Sequence, residues 1–189
     1  MHLVTYSMGM SLDGYIVGPD GRFDWSVPSP EVFDHHLDEL RETGVHLMGR
    51  RLYETMLYWD TADPATLDAA EQEWATRWKA LPKVVFSHTL SAVDGENTEL
   101  ATGSLADEIA RWRADPRDGR IALGGAGLAA AAAAQGLIDE YRPTIHPVIV
   151  GGGTPYAGHD PAQVDLELAS ARTFDNGVVA ARYRVRLGA

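Results

Sequence analysis

The stretch IALGGAG at residues 121–127 ends a short apolar run on glycines, and LMGRR at 47–51 and VVFSHT at 84–89 break off in a similar way. Each apolar run is typical of a buried strand, and the small or polar residues after it are typical of a turn into a new element. In an open α/β sheet, ligands bind outside the carboxyl ends of the strands, where glycine admits backbone N–H groups and helix N-termini favour anionic oxygens. Three such strand ends predict a phosphate-bearing cofactor.

None of the three strand ends is specific by itself. The turn at 124–127 lacks the GxGxxG spacing of the dinucleotide-binding fingerprint, and the GxxxxGK[ST] phosphate loop is absent from the sequence. A glycine turn that only lets a strand and a helix pack closely is the alternative interpretation. The combination with Arg50, Arg51 and Ser87 favours the cofactor.

Composition predicts one domain over residues 1–189, because 45% hydrophobic content in a chain of this length can build one buried core. The net charge of −11 argues against general affinity for nucleic acid or anionic membranes. The sequence shows no apolar run that could span a bilayer and no signal-peptide pattern, which predicts a cytoplasmic protein. The absence of cysteine excludes disulfides, thiolate nucleophiles and cysteine-ligated zinc.

Strand and helix patterns alternate along the first two thirds of the chain. Strands are predicted at 3–10, 45–48, 83–87 and 120–123, and helices are predicted to begin at Ser29-Pro30, near Arg51, at Asp63-Pro64, at Ser104 and at Ala126, the last closed by Gly136. A turn at 11–14 follows the first strand. This alternation indicates a mostly parallel sheet flanked by helices.

The last third changes character. Strands are predicted at 145–150, 165–174 and 178–187, and the Asn176-Gly177 pair predicts a hairpin between the last two. In the final strand apolar residues alternate with Arg182, Arg184 and Arg186, so the arginines are predicted to form a solvated face. The fold class is therefore α/β, with an antiparallel C-terminal hairpin at one edge of the sheet.

Histidines and carboxylates near residue 36 could be mistaken for a metal site. His36 lies on the apolar stripe of its predicted helix and His35 does not, so the two side chains diverge and no metal is predicted. His46 and His146 fall in predicted strands, where we expect satisfied core residues.

Six motifs in matching order carry a resemblance to a known family. The chain resembles the RibD C-terminal reductases, the reductase half of the bacterial riboflavin-pathway deaminase-reductase, in MSLDGYI (10–16), LMGRRLYE (47–54), VVFSHTL (84–90), GGA (124–126), GLIDEY (136–141) and PVIVGGGTP (147–155). The resemblance covers residues 3 to 187. It implies the three-layer αβα fold of dihydrofolate reductase.

The resemblance also implies an NADPH site. Gly49, Arg50 and Arg51 would meet the cofactor phosphates, and Ser87, His88 and Thr89 match the loop that contacts the adenosine ribose and its 2′-phosphate. The backbone of Gly124, Gly125, Ala126, Gly127 and Leu128 would contact the pyrophosphate and the nicotinamide ribose. The alternative for the arginines is a surface pair.

Two residues depart from the family pattern. His88 stands where many relatives carry arginine, so a preference for NADPH over NADH must rest on Arg50 and Arg51. Pro30 stands five residues after Trp25, where dihydrofolate reductase has the buried acid that holds a pterin. Reduction of dihydrofolate is therefore not expected.

The implied activity is reduction of a small heterocycle-bearing substrate, most specifically of the 5-amino-6-(5-phosphoribosylamino)uracil reductase type. Hydride transfer needs orientation and exclusion of water more than protein acids, and no catalytic residue is assigned. Four residues are candidates for substrate contacts: Asp13, Trp25, Glu54 and Thr154, the last near an expected phosphate contact. For Asp13 and Glu54 the simpler interpretations are a turn former and a solvated helix carboxylate.

Three alternatives remain open. A module that binds NADPH as a sensor would use the same pocket without catalysis, and a reductase could act on another small carbonyl or imine. A purely structural subunit would leave the three strand ends unexplained. The deaminase half is not present in the sequence, because its zinc site needs cysteines. The apolar face of residues 178–187 predicts a homodimer.

Overall fold

The computed structural model describes residues 2–159 and 161–186. Within this part, the strands numbered along the chain are β1 (Val4–Ser11), β2 (Tyr15–Val17), β3 (Thr43–Gly49), β4 (Lys83–Phe86), β5 (Thr98–Leu100), β6 (Arg120–Gly124), β7 (Glu140–His146), β8 (Thr154–Pro155), β9 (Leu166–Thr173) and β10 (Val179–Val185). The helices are α1 (Pro30–Arg41), α2 (Arg50–Met56), α3 (Tyr58–Thr61), α4 (Ala69–Ala80), α5 (Leu105–Arg113) and α6 (Ala126–Ala134).

Eight strands form one sheet in the order β5-β4-β3-β6-β1-β7-β10-β9, and β2 pairs with β8 in a separate ribbon. Pairing is parallel from β5 to β7 and antiparallel for β7-β10 and β10-β9. The turn between β9 and β10 has Gly177 at φ +82°, a conformation that glycine adopts at little cost. The predicted mostly parallel sheet with an antiparallel C-terminal hairpin is confirmed.

Helices cover both faces of the sheet, which gives the three-layer arrangement. On one face α5 and α6 pack on the inward side chains of β1, β3 and β6, among them Tyr6, Leu47 and Leu123. On the other face α1 and α4 pack on Met48 and Val85. None of the helices in the described part of the chain combines the length and the apolar character of a membrane span.

The predicted start of the fourth helix at Asp63-Pro64 is wrong, because this helix begins later in the chain. Residues 64–66 form a short 3-10 turn, and α4 begins at Ala69 because Asp68 and Glu71 build a complete capping box. The Asp68 carboxylate accepts from the Glu71 N–H at 2.9 Å, and the Glu71 carboxylate accepts from the Asp68 N–H at 2.9 Å. The helix start predicted at Ser104 is confirmed, because Ser104 and Asp107 form a capping box at the start of α5.

The strand predicted at 145–150 is also wrong, because β7 spans Glu140–His146. Pro147 has no N–H for a further ladder bond. Glu140 and Arg142 are polar but buried, 1% and 4% exposed, and they form an ion pair between Arg142 Nε and Glu140 Oε1 at 2.5 Å. The charged residues Glu140 and Arg142 interrupt the apolar pattern by which a buried strand is recognised in a sequence. This central strand was therefore not predicted at these residues.

The arginines of β10 are not simply a solvated face. Arg182 Nη2 lies 3.3 Å from the buried carboxylate of Glu140, and Arg184 Nε lies 3.9 Å from it. A register shift between Arg182 and Tyr183 interrupts the alternation on which the prediction rested. The predicted solvated face is confirmed for Arg184 and Arg186, which are exposed, and is wrong for Arg182, which is part-buried against Glu140. Leu187 lies outside the described residues.

Candidate functional site

The three strand ends singled out in the sequence leave adjacent strands at the same level. β4, β3 and β6 are neighbours, Gly49 pairs with Phe86, and Met48 pairs with Gly124. Ser87, Arg50 and Gly125 each follow directly on these paired positions. The structure therefore brings the turns at 49–51, 87–89 and 124–128 together at one edge of the sheet, which we call the three-turn cleft.

The two glycines at the end of β6 have different structural roles. A Cβ at Gly124 would overlap Leu52 and the His46 ring, so Gly124 allows close packing beneath the cleft. Gly125 has φ +91° and ψ 134°, and the nearest atoms to a Cβ there are 3.9 Å and 4.0 Å away, on Leu52 and Gly49. Gly125 is therefore required for its backbone conformation, and space remains in front of it.

The first turn of α6 presents its backbone to the cleft. The side chains of Ala126 and Leu128 pack into the core, and Gly127 has no neighbour within 4 Å of a Cβ position. The first N–H groups of a helix lack intrahelical partners. Residues 124–128 can therefore offer main-chain donors, as the resemblance requires.

Arg50 joins two of the turns. Its Nη1 donates to Thr89 Oγ1 at 2.8 Å, and its Nε donates to Glu54 at 2.7 Å. Ser87 Oγ accepts from the N–H groups of Thr89 and Leu90 at 3.2 and 3.1 Å, which closes the turn after β4. Arg51 and His88 are exposed beside them. The cleft is thus lined on one side by cationic and hydroxyl groups.

His46 lies under the cleft and is not the satisfied core residue that the sequence predicts. Its Nδ1 is buried and has no hydrogen-bond partner in the described part of the chain, and its ring packs edge-on against Trp78 at 5.5 Å. Burial, with a smaller contribution from the Lys83 charge, lowers the pKa of His46 to about 4. The imidazole is therefore neutral at neutral pH.

This neutral imidazole predicts an acid-sensitive fold. Since the unfolded chain titrates this group at 6.5, it binds more protons than the folded state between pH 6.5 and 4, and stability falls as the pH falls through that window. The loss from this group is about 3 kcal/mol at most. Urea unfolding of His46→Leu at pH 7 and pH 4.5 should show a smaller pH effect than the parent, and exposed His88→Gln should match the parent. An unchanged pH effect in His46→Leu would contradict the assignment.

A second group of residues lies at the ends of β1 and β7, which we call the Trp25 side. Trp25 sits in a short 3-10 turn and packs edge-on against His146 at a ring separation of 5.8 Å. The His146 Nε2 lies 3.3 Å from where a Cβ on Gly9 would be. Burial and the nearby His36 lower the pKa of His146. His146 is buried, with 4% exposure, as expected of a core residue, and the structure adds that it lies at the carboxyl end of β7 beside β1.

Asp13 fastens the glycine loop that follows β7. Its carboxylate accepts from Val150 N–H at 3.1 Å and from Gly151 N–H at 2.8 Å. A hydrogen bond from Ser11, followed by those from the two backbone groups, lowers the pKa of Asp13. The Asp13 oxygens are thus engaged with the chain itself.

The other two substrate candidates lie on different sides. Thr154 pairs with Val17 in the β2-β8 ribbon, next to the loop that Asp13 holds. Glu54 is on α2 and is bound to Arg50, so it belongs to the three-turn cleft. The structure brings Asp13, Trp25 and Thr154 to the β1 and β7 side, and it does not bring Glu54 there.

A buried polar network under α1 was missed by the sequence analysis. Glu39 accepts from Ser7 Oγ at 2.8 Å and from Arg142 Nη1 at 3.2 Å, and its carboxylate lies 3.7 Å from His36 Nδ1. Burial opposes ionisation of Glu39, but His36 and Arg142 outweigh it and hold the pKa at about 2. This network fixes α1 against β1 and β7.

Three solved structures with this fold resemble the chain over almost its whole length. A protein from Shewanella sp. PV-4 that is provisionally assigned to riboflavin biosynthesis matches with a TM-score of 0.78 and 24% identity, over 98% of this chain and 99% of that one. A pyrimidine reductase-like protein from Corynebacterium diphtheriae matches with a TM-score of 0.69 and 15% identity, over 99% and 93%. The bifunctional deaminase/5-amino-6-(5-phosphoribosylamino)uracil reductase of Thermotoga maritima matches at 0.66 and 13%, over 98% of this chain but only 57% of that one. The fold is that of the RibD-like reductases, which share the dihydrofolate reductase architecture.

The chain belongs to the RibD C-terminal domain family, whose sequence profile matches residues 2–180. The uncharacterized protein YyaP of Bacillus subtilis is 28% identical over 183 residues, which cover 95% of this chain and 93% of that protein. The family resemblance found in the sequence is confirmed. Membership supports a reductase role.

Proposed function

We propose that the protein is an NADPH-dependent reductase that transfers hydride to a small heterocycle-bearing substrate, resembling the 5-amino-6-(5-phosphoribosylamino)uracil reductases. The observation that carries the proposal is the three-turn cleft, in which Gly125 at φ +91° and the Arg50–Thr89 bond come together at one sheet edge. Backbone donors, hydroxyls and arginines at adjacent strand ends suit a dinucleotide with several phosphates.

Each group of residues has a separate task in this proposal. Arg50, Arg51, Ser87, His88 and Thr89 hold the adenosine end, and the backbone of residues 124–128 holds the pyrophosphate. The nicotinamide, when bound, supplies the hydride. Trp25 covers the reacting rings and excludes water, while Asp13 and Thr154 keep the glycine loop in place beside the substrate.

The test is a cofactor titration followed by an oxidation assay. NADPH should bind at micromolar concentration, and its absorbance should fall steadily in the presence of a ribosylaminouracil or another small cyclic imine or carbonyl. Binding without oxidation of any compound in a broad panel would favour the sensor module. No binding of either nicotinamide cofactor would overturn the proposal.

We also propose that the protein is a homodimer. Its cytoplasmic location stays a prediction. On the α6 side of the sheet a row of cross-strand partners runs from β1 to β9: Tyr6, Tyr141, Tyr183 and Leu168. The three tyrosines and Leu166 of β9 line an open, largely apolar cavity of about 560 Å³ that α6 covers only in part. All eight residues of the edge strand β9 are exposed. Such a face suits a second copy of the chain.

Light scattering at micromolar concentration should give twice the 20.5 kDa mass of one chain. Leu168→Glu places a charge in the row of partners and should shift the protein to the monomer. Leu12→Glu makes the same change at an exposed leucine directly after β1, outside this row of partners, and should leave the dimer intact. A monomeric parent protein would overturn the proposal.

A further inference from the structure

The Trp25 side holds few cations, and those it holds are neutralised. In the described part of the chain the arginines with contacts there are Arg22 and Arg172. Arg22 Nη2 is 2.5 Å from Asp24, and Arg172 Nη2 is 2.6 Å from Glu31 in the first turn of α1. Arg142, deeper under α1, is shared between Glu39 and Glu140.

Carboxylates outnumber the guanidinium groups on this side. Asp13 and Asp20 add two more negative charges, and the Asp20 carboxylate lies 3.0 Å from a Cβ position on Gly18. The glycine loop after β7 is the natural place for a phosphate, because successive N–H groups form an anion-binding concavity. The Asp13 carboxylate already accepts from Val150 and Gly151 in that loop. A phosphate there would meet a like charge in place of free donors.

Large apolar side chains are exposed where the segments after β1 and β7 meet the Trp25 turn, a surface that we call the opening of the Trp25 side. Leu12, Val27 and Ile149 are 63%, 72% and 71% exposed, and Phe23 precedes the Trp25 turn at 48%. The Leu12 N–H donates to the Val148 carbonyl at 2.8 Å, which keeps the ends of β1 and β7 adjacent. Exposed apolar residues grouped at one opening mark a binding surface for an apolar ligand.

From these observations we infer that the substrate is an uncharged flat ring compound with a C=N or C=O group and no phosphate. The inference rests on the proposed function, because it takes the Trp25 side as the substrate side. In the reduction the carbon of the C=N or C=O bond gains the hydride, and NADPH becomes NADP⁺. The π electrons pass to the nitrogen or oxygen, which takes a proton from water.

The test uses compound pairs that differ only by a phosphate: 5-amino-6-(ribosylamino)uracil with and without its 5-phosphate, and riboflavin with and without its phosphate. Each compound is titrated calorimetrically into the protein, both alone and saturated with NADP⁺. The unphosphorylated member should bind about tenfold more tightly at low salt, and the difference should shrink as salt is added. Equal binding, tighter binding of the phosphorylated member, or binding of neither at millimolar concentration would overturn the inference.

A variant with one carboxylate fewer tests whether charge repulsion causes the weaker binding of the phosphorylated compounds. Asp24→Asn removes a carboxylate and releases Arg22, so it should raise the affinity for the phosphorylated members several-fold and leave the unphosphorylated ones unchanged. Glu167→Gln makes the same charge change on the exposed strand β9 and should alter neither. Failure of NADP⁺ to bind would count against the proposed function alone, since the phosphate comparison is also made without cofactor.

Discussion

Gly125→Val is expected to raise the Kd for NADPH more than about a hundredfold while the protein stays folded. At φ +91° and ψ 134° the Gly125 backbone occupies a region that a β-branched residue essentially cannot adopt, so the turn must change its path. The changed path would move the N–H groups at the start of α6 out of the three-turn cleft. The fold should survive, because the nearest atoms to a Cβ there are 3.9 Å away and no core contact is lost.

Gly124→Ala is the matched control, and it should lower stability more than cofactor affinity. Its Cβ would overlap Leu52 and the His46 ring beneath the cleft. The melting temperature of this variant should therefore fall clearly, while its affinity for NADPH should change less. Thermal unfolding and NADPH fluorescence titration on both variants compare the two effects directly. A well-folded Gly125→Val protein that binds NADPH normally would show that this turn does not hold the cofactor.

The sequence could predict the three-turn cleft because its signals are local. A short apolar run followed by Gly49 or by Gly124-Gly125 marks a strand end whatever the rest of the chain does. Alternation with helices implies parallel strands, and parallel strands place their carboxyl ends at one edge. The relative order of β4, β3 and β6 needs long-range pairing, and there the family resemblance carried the prediction.

Other elements were mispredicted because distant partners decide them. The strand Glu140–His146 carries Glu140 and Arg142, and the burial of these charges is possible only because Glu39 and Arg182 arrive from separate elements. The start of α4 was placed at Asp63-Pro64, which is a strong signal, although Asp68 and Glu71 form the better cap. Competing local signals of similar strength cannot be ranked without the packing around them.

The Trp25 side was predicted less completely than the three-turn cleft. Trp25 is a predicted candidate for substrate contact, and the structure places it against His146. His146 is the buried residue that the sequence predicts, but only the pairing of β7 with β1 shows that it lies beside Gly9. The hydrogen bonds of Asp13 to Val150 and Gly151 join residues 137 and 138 positions apart, a contact that no local pattern shows.

Replacing Arg50 and Arg51 with alanine is expected to weaken NADPH binding about ten- to a hundredfold and NADH binding far less. A charge-assisted hydrogen bond contributes about 1.5–3 kcal/mol, and NADH lacks the 2′-phosphate that would accept it. The family resemblance implies that many relatives have an arginine at the position of His88, so we expect these two arginines to supply the charge. Titration of both cofactors into the double variant measures the two losses.

The single variants and a control at a distant arginine show which of the two arginines causes the loss of NADPH affinity. Arg51 is exposed and forms no side-chain hydrogen bond or ion pair with the described residues, whereas Arg50 is already bound to Glu54 and Thr89. Arg51→Ala should therefore account for most of the discrimination, and Arg50→Ala should also loosen the turn at Thr89 and weaken both cofactors. Arg77→Ala removes an arginine that is paired with Glu73 on α4 and should change neither affinity. Equal losses of NADPH and NADH binding in the double variant would show that the arginines do not contact the 2′-phosphate, since only that group distinguishes the two cofactors.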